Sequence, residues 1–156
     1  MLRKVLADGG ARLERFLVQV EQSAQLEPAG RFAAYAGALS ELTRRLREAT
    51  RAIMQAATGQ PALPYRVAPE MLRLIGHCAL AHWWLRAARA ALRLQAHDPV
   101  FYGCKQDTAC YYFTYVLPEV QQLLGVIDAC LHGCENSTHN AFPSDLSTHD
   151  PAQEAA

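Results

Sequence analysis

Hydrophobic residues recur at intervals of three and four along most of the chain, which is the spacing of helices that bury one side. The first such stretch runs from about Ala11 to Gln25, and the second runs from about Arg31 to Thr58. The third, Ala68–Gln95, carries both tryptophans and is apolar over most of its circumference. A helix of that kind has to be surrounded by other elements. We therefore predict an all-α fold, an up-and-down four-helix bundle-like domain with Ala68–Gln95 as its long central helix.

Glycine and proline residues mark the limits of these helices. Gly9 and Gly10 precede the first helix and Gly59 follows the second, as expected for residues that suit helix ends. The segment Gln60–Pro69 contains three prolines. Proline disfavours helix interiors, so we predict an irregular crossover loop there.

A fourth helix is predicted from about Val100 to Leu131, with Asp98 as its N-cap. Pro118 lies inside this stretch and cannot donate its share of the backbone hydrogen bonds. We expect the helix to be kinked at Pro118, or to break there and continue separately from Glu119 to Cys130.

The length and the net charge of the chain limit the classes of protein to which it can belong. The chain has 156 residues, which suits one domain, and its Lys plus Arg count of 15 equals its Asp plus Glu count. The balanced charge predicts no nucleic-acid partner and no anionic membrane surface as partner. The densest apolar run, Leu74–Leu85, is too short for a bilayer span and no secretion signal is recognised, so we predict no membrane partner and a cytoplasmic location. The helical domain is assigned to residues 1–131. The polar composition beyond it predicts a disordered tail at 132–156.

The sequence contains no motif that assigns a reaction. It has no Gly-rich phosphate loop, no GxSxG element and no acidic pair that stands out as a general acid and base. The five cysteines, an odd number, are interpreted as reduced, buried small hydrophobes. Cys130, His132, Cys134 and His139 could form a zinc site, but no second ligand cluster accompanies them. We predict no catalytic, cofactor-binding or metal-binding residue.

Several polar and aromatic side chains are interpreted as structural. His77 and His82 are expected to be core histidines bonded to neighbours, with His82 the more buried. The arginine row on the second helix, Arg44, Arg47 and Arg51, is interpreted as a solvated face with i, i+4 pairs between arginine and glutamate residues. The candidate packing or interface residues are His82, Trp83, Trp84, Tyr111, Tyr112 and Tyr115.

Several short runs, taken in order, resemble one known helical domain. They are MLRLIG at 71–76, WWL at 83–85, FYGCK at 101–105, and ACYY at 109–112 leading to LP at 117–118. These runs resemble the extra C-terminal helical domain of long-form acyl-CoA dehydrogenases, which has a YLRLFG…WLL helix and then FY..K...ARFF…LLP. Arg3-Lys4 and Asp8-Gly9-Gly10 are similar to the RKL…DGG link that joins the flavin-binding catalytic body to that domain.

The resemblance implies a role in the oxidation of acyl-CoA to trans-2-enoyl-CoA, in which a glutamate base removes the α-proton and FAD takes the β-hydride. In the family, that glutamate lies in a YEGTNGIQ-type segment before the link, and this sequence contains no such segment. We therefore expect a detached C-terminal domain that is inactive alone and holds no cofactor, FAD belonging to the complete enzyme.

The resemblance implies that the partner is the acyl-CoA dehydrogenase catalytic body, on which the domain packs near the subunit interface or the CoA end of the pocket. One alternative is a free-standing helical module that self-associates or binds another partner. A second alternative is a small metal- or redox-responsive protein that uses Cys130, Cys134 and the tail histidines.

Overall fold

The computed structural model describes residues 5, 7–26 and 30–132, and this part of the chain is helical and contains no β-strand. The elements are α1 (Ala11–Gln25), α2 (Ala33–Ala56), α3 (Leu63–Arg66), α4 (Ala68–Leu94), α5 (Pro99–Tyr111), a π-helical segment (Tyr112–Val116) and α6 (Glu119–His132). The predicted all-α fold is confirmed. The disordered tail predicted for 132–156 falls, apart from His132, outside the described residues.

Helix α4 is the centre of the fold, as its apolar circumference predicted. It packs against α1, α2, α3, α5, the π-helical segment and α6. Met71, Leu74 and Leu85 have no exposed surface, and small residues such as Ala81 and Ala88 are equally buried. Small side chains let neighbouring helices approach α4 closely, while the large ones fill the space between them. The core is therefore arranged around this one helix.

Helices α1 and α2 are held together by a charged group as well as by their apolar stripes. Arg47 of α2 donates from Nε to Glu14 Oε2 at 2.9 Å and from Nη1 to Glu21 Oε1 at 2.8 Å. The side chain of Arg47 is 18% exposed. The interpretation of the arginine row as a solvated face is therefore wrong for Arg47, because its planar guanidinium bridges two carboxylates on the neighbouring helix. It holds for Arg44, which pairs with glutamates of its own helix.

The chain enters α1 through a turn that requires glycine. Gly9 and Gly10 have φ angles of 62° and 81°, a left-handed conformation that L-residues with a Cβ rarely adopt. The amide of Gly10 donates to the carbonyl of Val5 at 2.8 Å and to the Asp8 carboxylate at 3.2 Å. The predicted helix break at this position is therefore confirmed.

The crossover between α2 and α4 differs from the prediction. We expected an irregular loop at Gln60–Pro69, but Leu63–Arg66 forms the short helix α3. Pro64 lies in the first turn of α3, where the missing N–H has no intrahelical partner to lose. Leu63 and Pro64 are buried, so their packing stabilises a helix that the proline content argued against.

The last helical region begins and breaks where the sequence indicated. Asp98 is the N-cap of α5, and its carboxylate accepts from the Phe101 amide at 2.9 Å. The α-helix ends at Tyr111, widens into the π-helical segment, and resumes at Glu119 after a turn at Leu117 and Pro118. The predicted kink is confirmed. Among the described residues, no helix has both the length and the apolar character needed to cross a bilayer.

Candidate functional site

A buried polar cluster connects α4 to the π-helical segment and α6. It consists of Arg73 and His77 from α4, Tyr112 from the first position of the π-helical segment, and Glu119 from the first position of α6. The rings of His77 and Tyr112 are buried, whereas Arg73 is more than half exposed. The cluster therefore extends from the interior to the surface of the domain.

The π-helical segment brings Tyr112 and Glu119 to His77. The Leu117 amide donates to the Tyr112 carbonyl at 2.9 Å, a bond to the fifth preceding residue that defines a π turn. Pro118 follows at once and has no N–H to continue an α-helical ladder. The widened turn and the break together redirect the chain, so that Glu119 begins α6 facing His77.

The polar side-chain atoms of His77 and Tyr112 all have hydrogen-bond partners within the cluster. The Tyr112 hydroxyl lies 3.1 Å from His77 Nδ1 and 3.1 Å from the His77 carbonyl oxygen. His77 Nε2 lies 3.2 Å from Glu119 Oε2, and the Arg73 guanidinium pairs with the other oxygen of Glu119. In a neutral ring with its proton on Nε2, Nε2–H donates to Glu119, and the single proton of the Tyr112 hydroxyl is shared between Nδ1 and the His77 carbonyl oxygen in a three-centre bond.

The protonation states of the cluster follow from burial. Burial lowers the pKa of His77, and the Arg73 guanidinium lowers it further, so the neutral ring is favoured. Burial also raises the pKa of the Tyr112 phenol, which keeps its proton. Next to His77, burial raises the pKa of the Cys78 thiol to about 12, so Cys78 is not a thiolate nucleophile at neutral pH.

This arrangement is chemically suited to holding helices together. A general base needs an open position for the proton that it accepts, and both ring nitrogens of His77 are already engaged inside the domain. A groove of about 290 Å³ lies nearby between α2 and α6, lined mainly by apolar residues such as Leu42, Phe113 and Leu124. Neither His77 nor Glu119 lines that groove. The cluster and the groove therefore do not form one catalytic pocket.

The candidate residues from the sequence are distributed over two environments. Tyr112 is buried in the polar cluster, and Trp84 packs partly buried against the core. Trp83 is 59% exposed, Tyr111 is 60% exposed and Tyr115 is 70% exposed. Tyr111 and Tyr115 pack against each other with ring centroids 5.1 Å apart. The aromatic residues near the end of α5 thus face both the interior and the solvent.

The two histidines of α4 reverse their predicted environments. His77 is the buried one and is bonded to its neighbours, as predicted for a core histidine. His82 is half-buried, and its ring packs edge-on against Trp83 with centroids 5.6 Å apart. The expectation that His82 is the more buried is wrong. Burial and the Arg86 and Arg89 guanidinium groups lower the pKa of His82 as well.

The structure also adds residues that sequence reasoning did not select. Arg73 and Glu119 were assigned no role, although Glu119 directly follows Pro118, where a new helix was an open alternative. An acidic residue at that position also suits the positive end of a helix dipole. In the described ranges, no group of three or more metal-ligating side chains comes together. The zinc hypothesis also involves Cys134 and His139, which lie outside those ranges.

Comparison with known proteins places the fold in a family. The sequence model of the family described as "Acetyl-CoA dehydrogenase C-terminal like" matches residues 13–134. This range contains every described helix from α2 to α6 and nearly all of α1. Searches among curated proteins and solved structures found no match.

Proposed function

The chain belongs to the family of acetyl-CoA dehydrogenase C-terminal-like domains, and from this membership we propose that it is the accessory helical domain of an FAD-dependent acyl-CoA dehydrogenase. In this proposal the complete enzyme oxidises acyl-CoA to trans-2-enoyl-CoA. The flavin and the catalytic base belong to the catalytic body, on the same polypeptide or on another. The helical domain supports that body through protein contacts.

The observation that carries the proposal is the family match over 13–134, which covers the helical core rather than a short motif. The chemistry of the buried cluster agrees with an accessory role. His77 and Tyr112 use their polar atoms to connect helices, and the Cys78 thiol stays protonated. These groups stabilise the domain and leave the reaction to other residues.

The test uses the full chain purified by itself and then together with a catalytic body. We expect the isolated chain to show no flavin absorbance and no acyl-CoA-dependent reduction of an electron-accepting dye. We expect it to form a complex with an acyl-CoA dehydrogenase catalytic body that contains FAD, and to raise its thermal stability or its activity. A yellow isolated chain that oxidises acyl-CoA would refute the accessory role. Failure to bind or to affect any such body would refute the partnership.

Self-association is a second candidate, and the exposed aromatic side chains on α4 and α5 favour it. Light scattering on the isolated full chain tests this function. A stable dimer at micromolar concentration is the expected result for a dimerisation module, and a monodisperse monomer would exclude it.

A further inference from the structure

One surface of the domain exposes large apolar side chains on two adjacent helices, α4 and α5, and on the π-helical segment that follows α5. We call it the outer α4–α5 face, and its residues are between 50% and 70% exposed. They are Leu72, Leu80, Trp83, Phe101, Tyr111 and Tyr115. Scattered exposed apolar residues are normal on a protein surface, but a group on neighbouring elements marks an interaction site. This face therefore differs from the charged outer surface of α2.

Burial shows that the two stripes lie on the outside of the molecule. On α4, Cys78 is fully buried, and Leu80 and Trp83 lie about half a turn away around the helix. On α5, Ala109 is fully buried, whereas Phe101 and Tyr111 are more than half exposed. Both stripes thus point away from the core. Because α4 and α5 pack against each other, the two stripes lie on neighbouring helices.

The size of the face suits a protein partner. An aromatic side chain can bury about 150–250 Å², so the four aromatic residues, each at least half exposed, present roughly 500 Å². Leu72 and Leu80 add to this area. A stable protein interface buries about 800 Å² on each partner. The outer α4–α5 face is close to that size, and its aromatic residues are the types that contribute most to binding.

The charges on the face indicate what the partner carries. The Arg86 guanidinium lies over the Trp83 ring at 4.6 Å from its centroid, and the Lys105 ammonium lies over the Phe101 ring at 5.1 Å. Within the described part of the chain, neither cation pairs with a carboxylate. A complementary surface is apolar at its centre and has carboxylates opposite these two positions.

We propose that the outer α4–α5 face is the surface on which the acyl-CoA dehydrogenase catalytic body docks, with carboxylates of that body opposite Arg86 and Lys105. This inference rests on the proposed function. A second copy of the chain is the alternative occupant, and the light-scattering measurement described below tests it.

The experiment measures the affinity of the full chain for FAD-containing catalytic bodies. Each acyl-CoA dehydrogenase body encoded in the same genome is expressed as a separate polypeptide and titrated by calorimetry. Trp83→Ala with Tyr115→Ala is expected to weaken Kd by at least about tenfold. The matched control is Tyr65→Ala on α3, whose side chain is 75% exposed, and it is expected to leave Kd unchanged.

Charge reversal provides an independent measurement. Arg86→Glu with Lys105→Glu is expected to slow association and to reduce its dependence on salt, whereas Arg66→Glu on α3 is expected to change neither. Circular dichroism verifies that each variant retains its helices. All these positions are exposed, so the fold is expected to be kept.

The possible outcomes separate this inference from the proposed function. If a body binds and the Trp83 and Tyr115 variants bind equally well, this inference is wrong and the proposed function stands. If no body binds, the proposed partnership fails. If light scattering shows a dimer of the full chain that Trp83→Ala dissociates, the face belongs to a second copy and the inference is overturned.

Discussion

The Tyr112 hydroxyl is expected to stabilise the domain, and Tyr112→Phe removes it without leaving a large cavity. The hydroxyl lies 3.1 Å from both the ring Nδ1 and the carbonyl oxygen of His77. Tyr112 is 5% exposed and His77 is 8% exposed, so water does not readily replace the lost bonds. Leaving a buried acceptor unsatisfied costs about 1–3 kcal/mol. We therefore expect a loss of that size in the free energy of unfolding.

The assay is urea denaturation of the full chain at neutral pH, followed by circular dichroism, with the slope against urea unchanged between variants. Tyr111→Phe is the matched control because it is the preceding residue and is 60% exposed. We expect it to change the free energy of unfolding by less than about 0.5 kcal/mol. If Tyr112→Phe falls within that same range, the hydrogen bonds to His77 do not stabilise the fold and the reasoning is refuted.

A double-mutant cycle tests whether the loss of unfolding free energy in Tyr112→Phe comes from the contact between Tyr112 and His77. Combining Tyr112→Phe with His77→Gln is expected to cost less than the sum of the two single losses, because each substitution removes the same interaction. Additive losses would show that Tyr112 acts through packing alone.

Three further predictions follow from the same contacts. Burial lowers the pKa of His77 in the folded chain below its ordinary value of 6.5, so the unfolded chain takes up a proton on His77 at a higher pH than the folded chain does. The free energy of unfolding is therefore greatest above pH 6.5 and falls as the pH drops toward the pKa of the folded state. Denaturation at about pH 7.5 and about pH 5.5 tests this, and an equally steep fall in His77→Gln would contradict it. Arg47→Met removes two interhelical ion pairs and is expected to cost about 1–2 kcal/mol of unfolding free energy, whereas the exposed Arg44→Met control should cost much less. Leu85→Ala, at a fully buried position, is expected to cost about 2–5 kcal/mol, against less than about 0.5 kcal/mol for the half-exposed Leu80→Ala; equal thermal midpoints would refute the central role of α4.

Much of the fold is present in the local sequence. The spacing of apolar residues predicted α1 at the bounds that it has, Ala11–Gln25. The turn at His97-Asp98-Pro99 predicted the N-cap role of Asp98. The apolar circumference of Ala68–Gln95 predicted the helix that contacts all the other described elements. These features depend on residues within one or two helical turns of each other. The spacing of apolar residues over that distance can be read in the sequence itself.

The interhelical contacts were decided by the tertiary structure. Sequence spacing showed that Arg47 lies on a polar stretch of α2, but not that α1 places Glu14 and Glu21 beside it. The aromatic residues of 111–115 share a helical pattern, yet only the packing of α4 buries Tyr112 and leaves Tyr111 exposed.

The buried cluster illustrates the same division between local and long-range information. Sequence indicated a core histidine in α4 and a disturbance at Pro118, both of which are local properties. The path of the chain through the π turn decides which histidine is buried. It also brings Glu119, which lies 42 residues further along the chain, to His77. Local sequence thus determined where the helices lie and the break near Pro118. The partners of each polar side chain were decided by tertiary packing, because those contacts join residues far apart in sequence and form only when the helices assemble.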